Sequence, residues 1–441
     1  MFRSLMQDLV RWKDRSDRSP LLLRGARQVG KSFLVEQFAV AHSLQCVTIN
    51  FEHQPEYAEF FEATLDAKRL VRSIELLSRK KLVPGQSLLF LDEIQECPRA
   101  IQALRYFKEQ LPELHVIGAG SLLEFVLNDT NFRMPVGRVE FLYLKPLSFH
   151  EFLMAAGQTD YCDFLAEVQI QDTIPTTIHQ DLLDWVKRYW AVGGMPAVVN
   201  SFITEADWER CQALQAFLLQ TYRDDFGKYA TKTQHAHLQK VFAKLPGVVT
   251  KQFKYVDFDR ELRAENIRHA LHMLGSAGLL TQIHATSAAG LPLSADAIEK
   301  KFKLLFLDVG LLNRACFIPP ESLLMRQPLV NQGSVTEQFV GQELLCLQAT
   351  YEPSALYFWQ RDTPGSQAEV DYLLAEQGLI IPIEVKSGHS RRLKSLHMLM
   401  AEKHLPLGVR ISESPLAYHD ALLSIPLYLI HELPRLLQRL N

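Results

Sequence analysis

A glycine-containing loop between an apolar run and a helical pattern is the feature that most constrains this chain. Residues 20–39 read PLLLRGARQVGKSFLVEQFA. The run before Gly25 predicts a strand, and the apolar spacing after Ser32 predicts a helix. Gly25, Gly30, Lys31 and Ser32 fit the pattern G-x-x-x-x-G-K-[ST], in which backbone N–H groups and a helix N-terminus surround a phosphate. A plain glycine turn is the alternative, but the full motif in this context favours a nucleotide-binding loop.

We therefore expect this loop, called the phosphate loop below, to bind ATP with Mg²⁺. Lys31 is expected to reach the β- and γ-phosphates, and Ser32 is expected to bind Mg²⁺. The predicted nucleotide-binding residues here are Gly25, Ala26, Arg27, Gln28, Val29, Gly30, Lys31, Ser32 and Phe33.

An acidic pair at the end of a second apolar run predicts the other half of an ATPase site. Residues 88–91 are all apolar and are followed by Asp92 and Glu93. Asp92 is expected to bind in the magnesium shell, and Glu93 is expected to polarise the attacking water. Adjacent acids favour a hydrolase over a kinase. The alternative for Asp92 is an aspartate that only begins a turn.

Two further apolar runs, residues 45–52 and 115–123, predict buried strands. Strands that alternate with helices imply a parallel sheet with helices on both faces, and ligands bind at the carboxyl ends of such strands. Ser121 follows the fourth strand, so it either senses the γ-phosphate or caps a helix that starts at Leu122. Arg138, and less strongly Arg133, is a candidate arginine finger for the nucleotide of a neighbouring subunit.

The sequence resembles the prokaryotic AAA-like ATPases that carry a domain of unknown function after the ATPase core. The resemblance spans almost the whole chain. It rests on LLLRGARQVGKS (21–32), LLFLDEIQ (88–95), IGAGSLL (117–123), VGRVEFLYLKPLSFHEFL (136–153), YWAVGGMPAVV (189–199) and FLDVGLL (306–312). It implies an AAA-type domain, a helical and winged-helix segment, and a domain similar to restriction endonucleases. Arg27 and Gln28 match the family's loop, whose usual proline is replaced by Ala26.

The middle of the chain, about 150–325, lacks strand-helix alternation and predicts mainly helices. Residues 258–283 combine a helical pattern with a glycine-bounded apolar strand, as a winged-helix module would. Such a helix either enters a DNA groove or contacts protein, and the arginines at 260, 263 and 268 are either a DNA-binding face or a solvated one. The acids Asp224 and Asp225 favour a salt-bridge or capping role over acid-base chemistry.

The last region returns to strands and places acids on them. Asp371 lies on one predicted strand, and Glu384 and Lys386 lie two apart on the next, so the latter two project to one face. Glu337 lies upstream on a predicted helix. The set resembles the PD-(D/E)xK nuclease core, with Val370 in place of the proline. Asp371 and Glu384 are then expected to bind Mg²⁺ or Mn²⁺, and Lys386 to orient water. An amphipathic strand or an inactive nuclease fold is the alternative, and the basic residues 391, 392 and 394 either contact phosphates or are solvated.

Composition limits the partners. Forty-seven Lys and Arg balance 50 Asp and Glu for a net charge of -3, so any nucleic-acid contact must come from local patches. The six cysteines contain no CxxC pair, which argues against zinc clusters and disulfides. The N-terminus has no signal-like apolar region, and no window approaches the ~18 apolar residues of a membrane span. A cytoplasmic protein without a membrane partner is expected.

The sequence thus predicts an α/β chain with three parts: a P-loop ATPase domain with an AAA-type parallel sheet (1–155), an α-rich, winged-helix-like region (156–325) and an α/β restriction-endonuclease-like domain (326–441). One hypothesis is an ATPase that couples ATP to action on DNA or RNA, with further copies of the chain, in a homo-oligomer, as candidate partners. Its catalytic residues would be Lys31, Glu93, Arg138, Asp371, Glu384 and Lys386. The alternative is a nucleotide-controlled protein switch or scaffold with an inactive last domain, which the near-neutral charge favours slightly.

Overall fold

The computed structural model describes residues 1–127, 132–135, 137–325, 332–361, 366, 368–387 and 393–440. The first region contains strands β1 (Leu21–Arg24), β2 (Gln45–Asn50), β3 (Ser87–Asp92), β4 (His115–Ala119) and β5 (Glu140–Tyr143). Its helices are α1 (Met6–Asp14), α2 (Lys31–Ala41), α3 (Ala58–Ala63), α4 (Ala67–Ser78), α5 (Pro98–Gln110), α6 (Leu123–Leu127) and α7 (Phe149–Ala155).

The five strands of the first region form one parallel sheet in the order β2-β3-β4-β1-β5. This confirms the predicted parallel sheet. Strand β4 lies between β1, which leads into the phosphate loop, and β3, which ends at Asp92. The carboxyl ends of these three strands therefore meet at one edge, where ligands bind in such sheets.

The prediction for β2 was wrong in one respect. The strand was expected to be buried, but it is the edge strand, and only Val47 and Ile49 on one face are buried. The other face carries Cys46, which is half-buried, and Thr48, which is exposed. The alternation of Val47 and Ile49 with Cys46 and Thr48 is the period-2 pattern of a strand that is buried on one side.

The middle region is helical up to residue 276, as predicted. Its helices are α8 (Thr159–Glu167), α9 (Thr176–Val192), α10 (Pro196–Glu205), α11 (Trp208–Tyr229), α12 (Lys232–Lys244), α13 (Tyr255–Phe258) and α14 (Ala264–Ser276). The antiparallel hairpin of β6 (Leu280–Thr286) and β7 (Ala297–Phe306) follows, then α15 (Val309–Ala315) and α16 (Pro320–Leu324). The winged-helix assignment stays a prediction.

The last region contains α17 (Gln332–Cys346), β8 (Tyr357–Gln360), β9 (Glu369–Glu376), β10 (Leu379–Lys386), α18 (Lys394–Lys403), β11 (Gly408–Ser412), β12 (Ala417–His419), β13 (Leu422–Pro426) and α19 (Leu433–Gln438). Its strands continue the β6–β7 hairpin, because β8 pairs in parallel with β6. The resulting sheet has eight strands in the order β12-β13-β11-β10-β9-β8-β6-β7. One sheet thus crosses the predicted boundary at residue 326.

The apolar core is also shared between regions. One cluster of buried residues extends from Leu5 before α1 through the middle helices to Leu437 on α19. A second cluster covers the other face of the first sheet, against α3, α4 and α5. The first sheet is therefore packed on one side by its own helices and on the other by a core that includes residues of the middle and last regions.

Candidate nucleotide-binding site

The backbone of the phosphate loop depends on its two glycines. Gly25 has φ 146°, and a Cβ there would lie 2.2 Å from the carbonyl oxygen of Leu144. Gly30 has φ 94° and is the N-cap of α2. These left-handed conformations are costly for residues with a side chain. The sequence therefore forms a loop that turns directly from β1 into the N-terminus of α2, the positive end of the helix dipole.

Lys31 is buried beneath this loop. Its Nζ donates hydrogen bonds to the carbonyl oxygens of Gly25 and Ala26, each at 2.9 Å. Burial lowers the pKa of Lys31 to about 8, while the negative charges of Glu93 and Asp92 act in the opposite direction. An incoming phosphate would offer this ammonium a full negative charge in place of two neutral carbonyl groups.

Ser32, Asp92 and Asn50 form a group of oxygen and amide side chains beside Lys31. Asp92 Oδ2 accepts a hydrogen bond from Ser32 Oγ at 2.9 Å and another from Asn50 Nδ2 at 3.1 Å. Burial raises the pKa of Asp92, although the hydrogen bond from Ser32 opposes this. The hydroxyl and carboxylate are hard oxygen ligands of the kind that Mg²⁺ prefers, so the residues present fit this ion.

Asn50 was missed by the sequence predictions. It is the last residue of β2 and lies directly beside Asp92 in the sheet register. A polar residue at the carboxyl end of a strand, next to the strand that ends in the acid, was the available signal.

Glu93 has a restrained carboxylate. Its φ is 48°, in the left-handed region, and its Oε2 accepts a hydrogen bond from Gln95 Nε2 at 2.7 Å. The amide of Gln95 packs against Gly120, where a Cβ would lie 2.2 Å from Gln95 Oε1. The glycine after β4 thus makes room for the amide that orients Glu93. Gln95 was not predicted as a site residue.

Ser121 lies close to the phosphate loop. Its Oγ is buried and has no hydrogen-bond partner in the described ranges, so it does not cap a helix. With Gly25 and Ala26 it lines one side of a cavity of about 640 Å³, whose opposite side is formed by α14, including Arg268 and His272. A ligand in this cavity would contact both the first region and the middle region.

The outer side of the phosphate loop is covered by helix α11. Tyr222 on this helix donates its hydroxyl to the carbonyl oxygen of Arg27 at 2.9 Å. The Arg27 guanidinium lies 3.1 Å from Asp225 Oδ1 and 3.7 Å from Glu52 Oε2. The predicted salt-bridge role of Asp225 is confirmed, and its partner is the phosphate loop itself. Lys228 adds a contact with Glu52 at 2.8 Å.

The remaining predicted residues of the loop have different environments. Gln28 is exposed at the loop with φ 68°. Val29 is buried, and its carbonyl oxygen accepts a hydrogen bond from Arg3. Phe33 is 47% exposed on α2. These side chains are therefore not arranged around one point, and the loop would contact phosphate mainly through its backbone.

Arg138 is distant in the sheet from its own phosphate loop. It precedes β5 at the amino end of that strand, whereas the loop follows the carboxyl end of β1, which is parallel to β5. Its Nε lies 3.3 Å from Glu109 Oε1, and the guanidinium is about half exposed. Arg133 is exposed as well. Arg138 is thus accessible to another molecule and not to the nucleotide site of its own chain.

Asp371, Glu384 and Lys386 lie together in the last region. Asp371 is on β9, and the other two are on the adjacent strand β10. Asp371 Oδ2 accepts a hydrogen bond from the Val385 N–H at 2.8 Å, and Lys386 Nζ lies 2.5 Å from Glu384 Oε1. Residues 391 and 392 of the predicted basic patch lie outside the described residues.

Glu384 is buried and Glu337 is only 16% exposed, which affects the pKa of both carboxyl groups. Burial, together with the charge of Asp371, raises the pKa of both Glu337 and Glu384. Lys303 from β7 lies among the acids and was not predicted. Burial alone would lower the pKa of Lys303, but Glu337, Asp371 and Glu369 outweigh burial and raise it. In the described part of the chain, no three His, Cys, Asp or Glu side chains are arranged to bind a metal ion.

Two of the motifs quoted above meet at a buried carboxylate. Asp308 of FLDVGLL accepts hydrogen bonds from the backbone N–H of Gly194, in YWAVGGMPAVV, at 2.6 Å and from Leu311 at 2.9 Å. Burial raises the pKa of Asp308 to about 6, despite these hydrogen bonds. A Cβ at Gly193 would lie 2.2 Å from Asp308 Oδ1, so the glycine is required for this approach.

None of the described helices has the length and apolar character that crossing a bilayer requires.

The comparisons with known proteins concern the separate regions. Residues 17–153 match an AAA domain, residues 183–322 match a domain of unknown function (DUF8612), and residues 332–428 match another domain of unknown function (DUF4143). No curated protein matches the chain.

Several solved structures show limited similarity. The Walker-type ATPase of Pyrococcus abyssi is 13% identical, over 70% of this chain and 94% of that chain, with a TM-score of 0.44. A signal transduction ATPase with numerous domains from Pyrococcus horikoshii is 10% identical, over 78% of this chain and 45% of that one, with a TM-score of 0.28. AMPPCP-bound DnaA from Aquifex aeolicus is 13% identical, over 62% and 87%, with a TM-score of 0.29. These identities and TM-scores are too low to indicate an activity for this chain. The family matches thus place an AAA domain at the N-terminal side of the chain and a DUF4143 domain at its C-terminal side, and each match covers less than half of the chain.

Proposed function

We propose that this chain binds ATP with Mg²⁺ at the phosphate loop, hydrolyses it, and uses the nucleotide to control contacts of the loop with helix α11. The observation that carries the proposal is the group of Lys31, Ser32 and Asp92 at the carboxyl edge of the first sheet. A buried ammonium lies beside a hydroxyl and a carboxylate that share a hydrogen bond. The match of residues 17–153 to an AAA domain supports ATP hydrolysis in general.

Each side chain has a distinct part in this proposal. Lys31 binds the β- and γ-phosphates, and the loop N–H groups surround them. Ser32 and Asp92 would bind Mg²⁺, which when present neutralises charge on the phosphate oxygens. Asn50 keeps Asp92 oriented. Glu93 accepts the proton of the attacking water.

Two further residues act beside the phosphates. Gln95 orients the Glu93 carboxylate by donating to its Oε2, and the carboxylate has other acceptor sites with which to contact the attacking water. The Ser121 hydroxyl, near the end of β4, has no hydrogen-bond partner among the residues that the structure describes and can donate to the γ-phosphate.

The switch part of the proposal rests on Arg27. Its guanidinium pairs with Asp225 on α11 and with Glu52. A polyphosphate bound in the loop would compete for the same cation, so the loop–helix contact would differ between nucleotide-bound and free states. A ligand shifts such an equilibrium only by its differential affinity for the two states.

The experiment is steady-state ATP hydrolysis with Mg²⁺ by the full chain and matched variants. Lys31→Ala should lose ATP binding, and Glu93→Gln should bind ATP without turnover. Glu96→Gln alters an exposed acid three residues further on and should behave as the wild type. Hydrolysis at the wild-type rate by Lys31→Ala or by Glu93→Gln would refute the site assignment.

A second candidate is that hydrolysis is coupled to DNA or RNA. The observation that favours it is the meeting of Asp371, Glu384 and Lys386 on adjacent strands, as the nuclease resemblance implies. The same ATPase assay with single-stranded, duplex and branched DNA and with RNA separates the candidates. Stimulation by one nucleic acid supports this coupling, and a rate that none of them changes supports the protein switch.

A further inference from the structure

An acid cluster with its own cation lies where the β6–β7 hairpin joins the C-terminal strands. The cluster comprises Glu337 on α17, Glu369 and Asp371 on β9, Glu384 and Lys386 on β10, and Lys303 on β7. The nuclease resemblance assigns a divalent metal to such acids. The contacts of these side chains show whether a metal fits.

Lys303 lies at the centre of the cluster. Its Nζ is 2.9 Å from Glu337 Oε1, 2.5 Å from Glu369 Oε1 and 3.7 Å from Asp371 Oδ1. The side chain is only 2% exposed, and its ammonium is 5.1 Å from the ring centroid of Phe358. This ammonium is enclosed by oxygens on one side and by an aromatic ring on the other, which is a complete environment for a monovalent cation.

The two predicted metal ligands are also occupied by protein groups. Asp371 Oδ2 accepts the Val385 N–H, and Glu384 Oε1 is paired with Lys386. Glu384 Oε2 is buried without a partner in the described part of the chain. Mg²⁺ in proteins is bound by one or two carboxylates and keeps several waters. Here the buried Lys303 ammonium is already paired with Glu337 and Glu369 and lies near Asp371, so a divalent cation would be placed beside a fixed positive charge, and the residues present do not fit the metal.

We propose that the Lys303 ammonium takes the place of a divalent cation in this cluster, so that the C-terminal region does not cleave phosphodiesters by a metal-dependent route. The cluster instead connects β7 of the middle region to β9 and α17 by ion pairs inside the shared sheet. This inference goes beyond the proposed ATPase function and depends on no residue of the phosphate loop. It is also compatible with nucleic-acid binding without cleavage.

The test is a titration of the nucleotide-free full chain with Mn²⁺, in which electron paramagnetic resonance measures the bound ion. Wild type and Asp371→Asn should bind the same amount of Mn²⁺. Any Mn²⁺ bound near Asp92 is common to all variants and cancels in the comparison. Lys303→Met removes the ammonium and keeps a long side chain, so it should gain one Mn²⁺ per chain. Adding Asp371→Asn to that variant should remove the gain.

Two further variants separate the ammonium from general effects of mutation. Lys303→Arg keeps a cation in the cluster and should gain no Mn²⁺. Lys300→Met alters an exposed lysine on the same strand and should also gain none. Unchanged ATP binding and circular dichroism show that each variant is folded.

The outcomes that would overturn the inference are specific. A wild-type Mn²⁺ site that Asp371→Asn abolishes would show that the acids bind metal with Lys303 present. A folded Lys303→Met protein without additional Mn²⁺ would show that the ammonium is not what occupies the position. If Lys303→Met does not fold, the comparison of wild type with Asp371→Asn decides alone, because equal binding supports the inference and a loss refutes it.

Discussion

Nucleotide affinity should fall as the pH rises through the range in which Lys31 loses its proton. The lysine is buried and donates hydrogen bonds to two backbone carbonyl oxygens, and burial lowers its pKa to about 8. The neutral amine offers no charge to a phosphate, so nucleotide binds the protonated form and raises the pKa in the complex. Nucleotide binding therefore takes up protons near pH 8, and the affinity for nucleotide is highest below that pH.

The magnitude follows from the protonated fraction of the free protein. With a pKa of about 8, roughly nine chains in ten carry the charge at pH 7 and one in ten at pH 9, so linkage predicts an affinity about tenfold weaker at pH 9. Isothermal titration calorimetry of ATP binding at pH 7, 8 and 9 measures this change. Two buffers of different ionisation enthalpy should report uptake of about half a proton at pH 8.

Lys31→Arg is the matched control, because arginine stays charged over this range. The ionisation of the nucleotide itself affects both proteins equally, so the difference between them isolates Lys31. The reasoning is refuted if wild type and Lys31→Arg show the same pH dependence, or if wild type takes up no proton at pH 8.

Three other outcomes are expected. Glu93→Gln should lower kcat by about 10²–10⁴-fold, as loss of a general base does. Its ATP affinity in a binding assay should stay close to that of Glu96→Gln. A loss of ATP affinity as large as the loss of kcat would argue for a structural role. Asp308→Ala should lower the free energy of unfolding by about 3–5 kcal/mol, measured by urea denaturation. The buried N–H groups that donate to Asp308 would lose their acceptor, and α15 would lose its N-cap. A loss below about 1 kcal/mol would contradict this. If Arg138 acts on a neighbouring subunit's nucleotide, mixing inactive Lys31→Ala and Arg138→Ala proteins should restore ATPase activity, and mixtures that stay inactive would remove Arg138 from the site.

The parts of the site that could be predicted are local in sequence. The phosphate loop is one continuous motif, and its glycine conformations and helix start follow from residues 25–32 alone. Asp92 and Glu93 were identifiable because they end an apolar run. The four strands whose carboxyl ends bear on the site were predicted for the same reason, since each is a short apolar segment.

The parts that could not be predicted depend on contacts between distant segments. Asp225 was interpreted as a salt-bridge or capping residue, but nothing local indicated that its partner would be Arg27, 198 positions earlier. Gln95 is conspicuous only once Gly120 is known to face it. Lys303 lies in the run KKFK, where a charged lysine on a strand predicts a solvated face rather than burial. In each case, the position of the side chain is decided by a contact with a residue that is distant in the sequence.

The eight-stranded sheet has a consequence for dissecting the molecule. Strand β8 pairs with β6 on one side and β9 on the other, so removal of the chain before residue 326 would leave one side of β8 with unpaired N–H and C=O groups. Such an edge recruits strands from other molecules. A fragment that begins at 326 would therefore tend to aggregate, whereas a fragment that begins before α14 would retain β6 and β7.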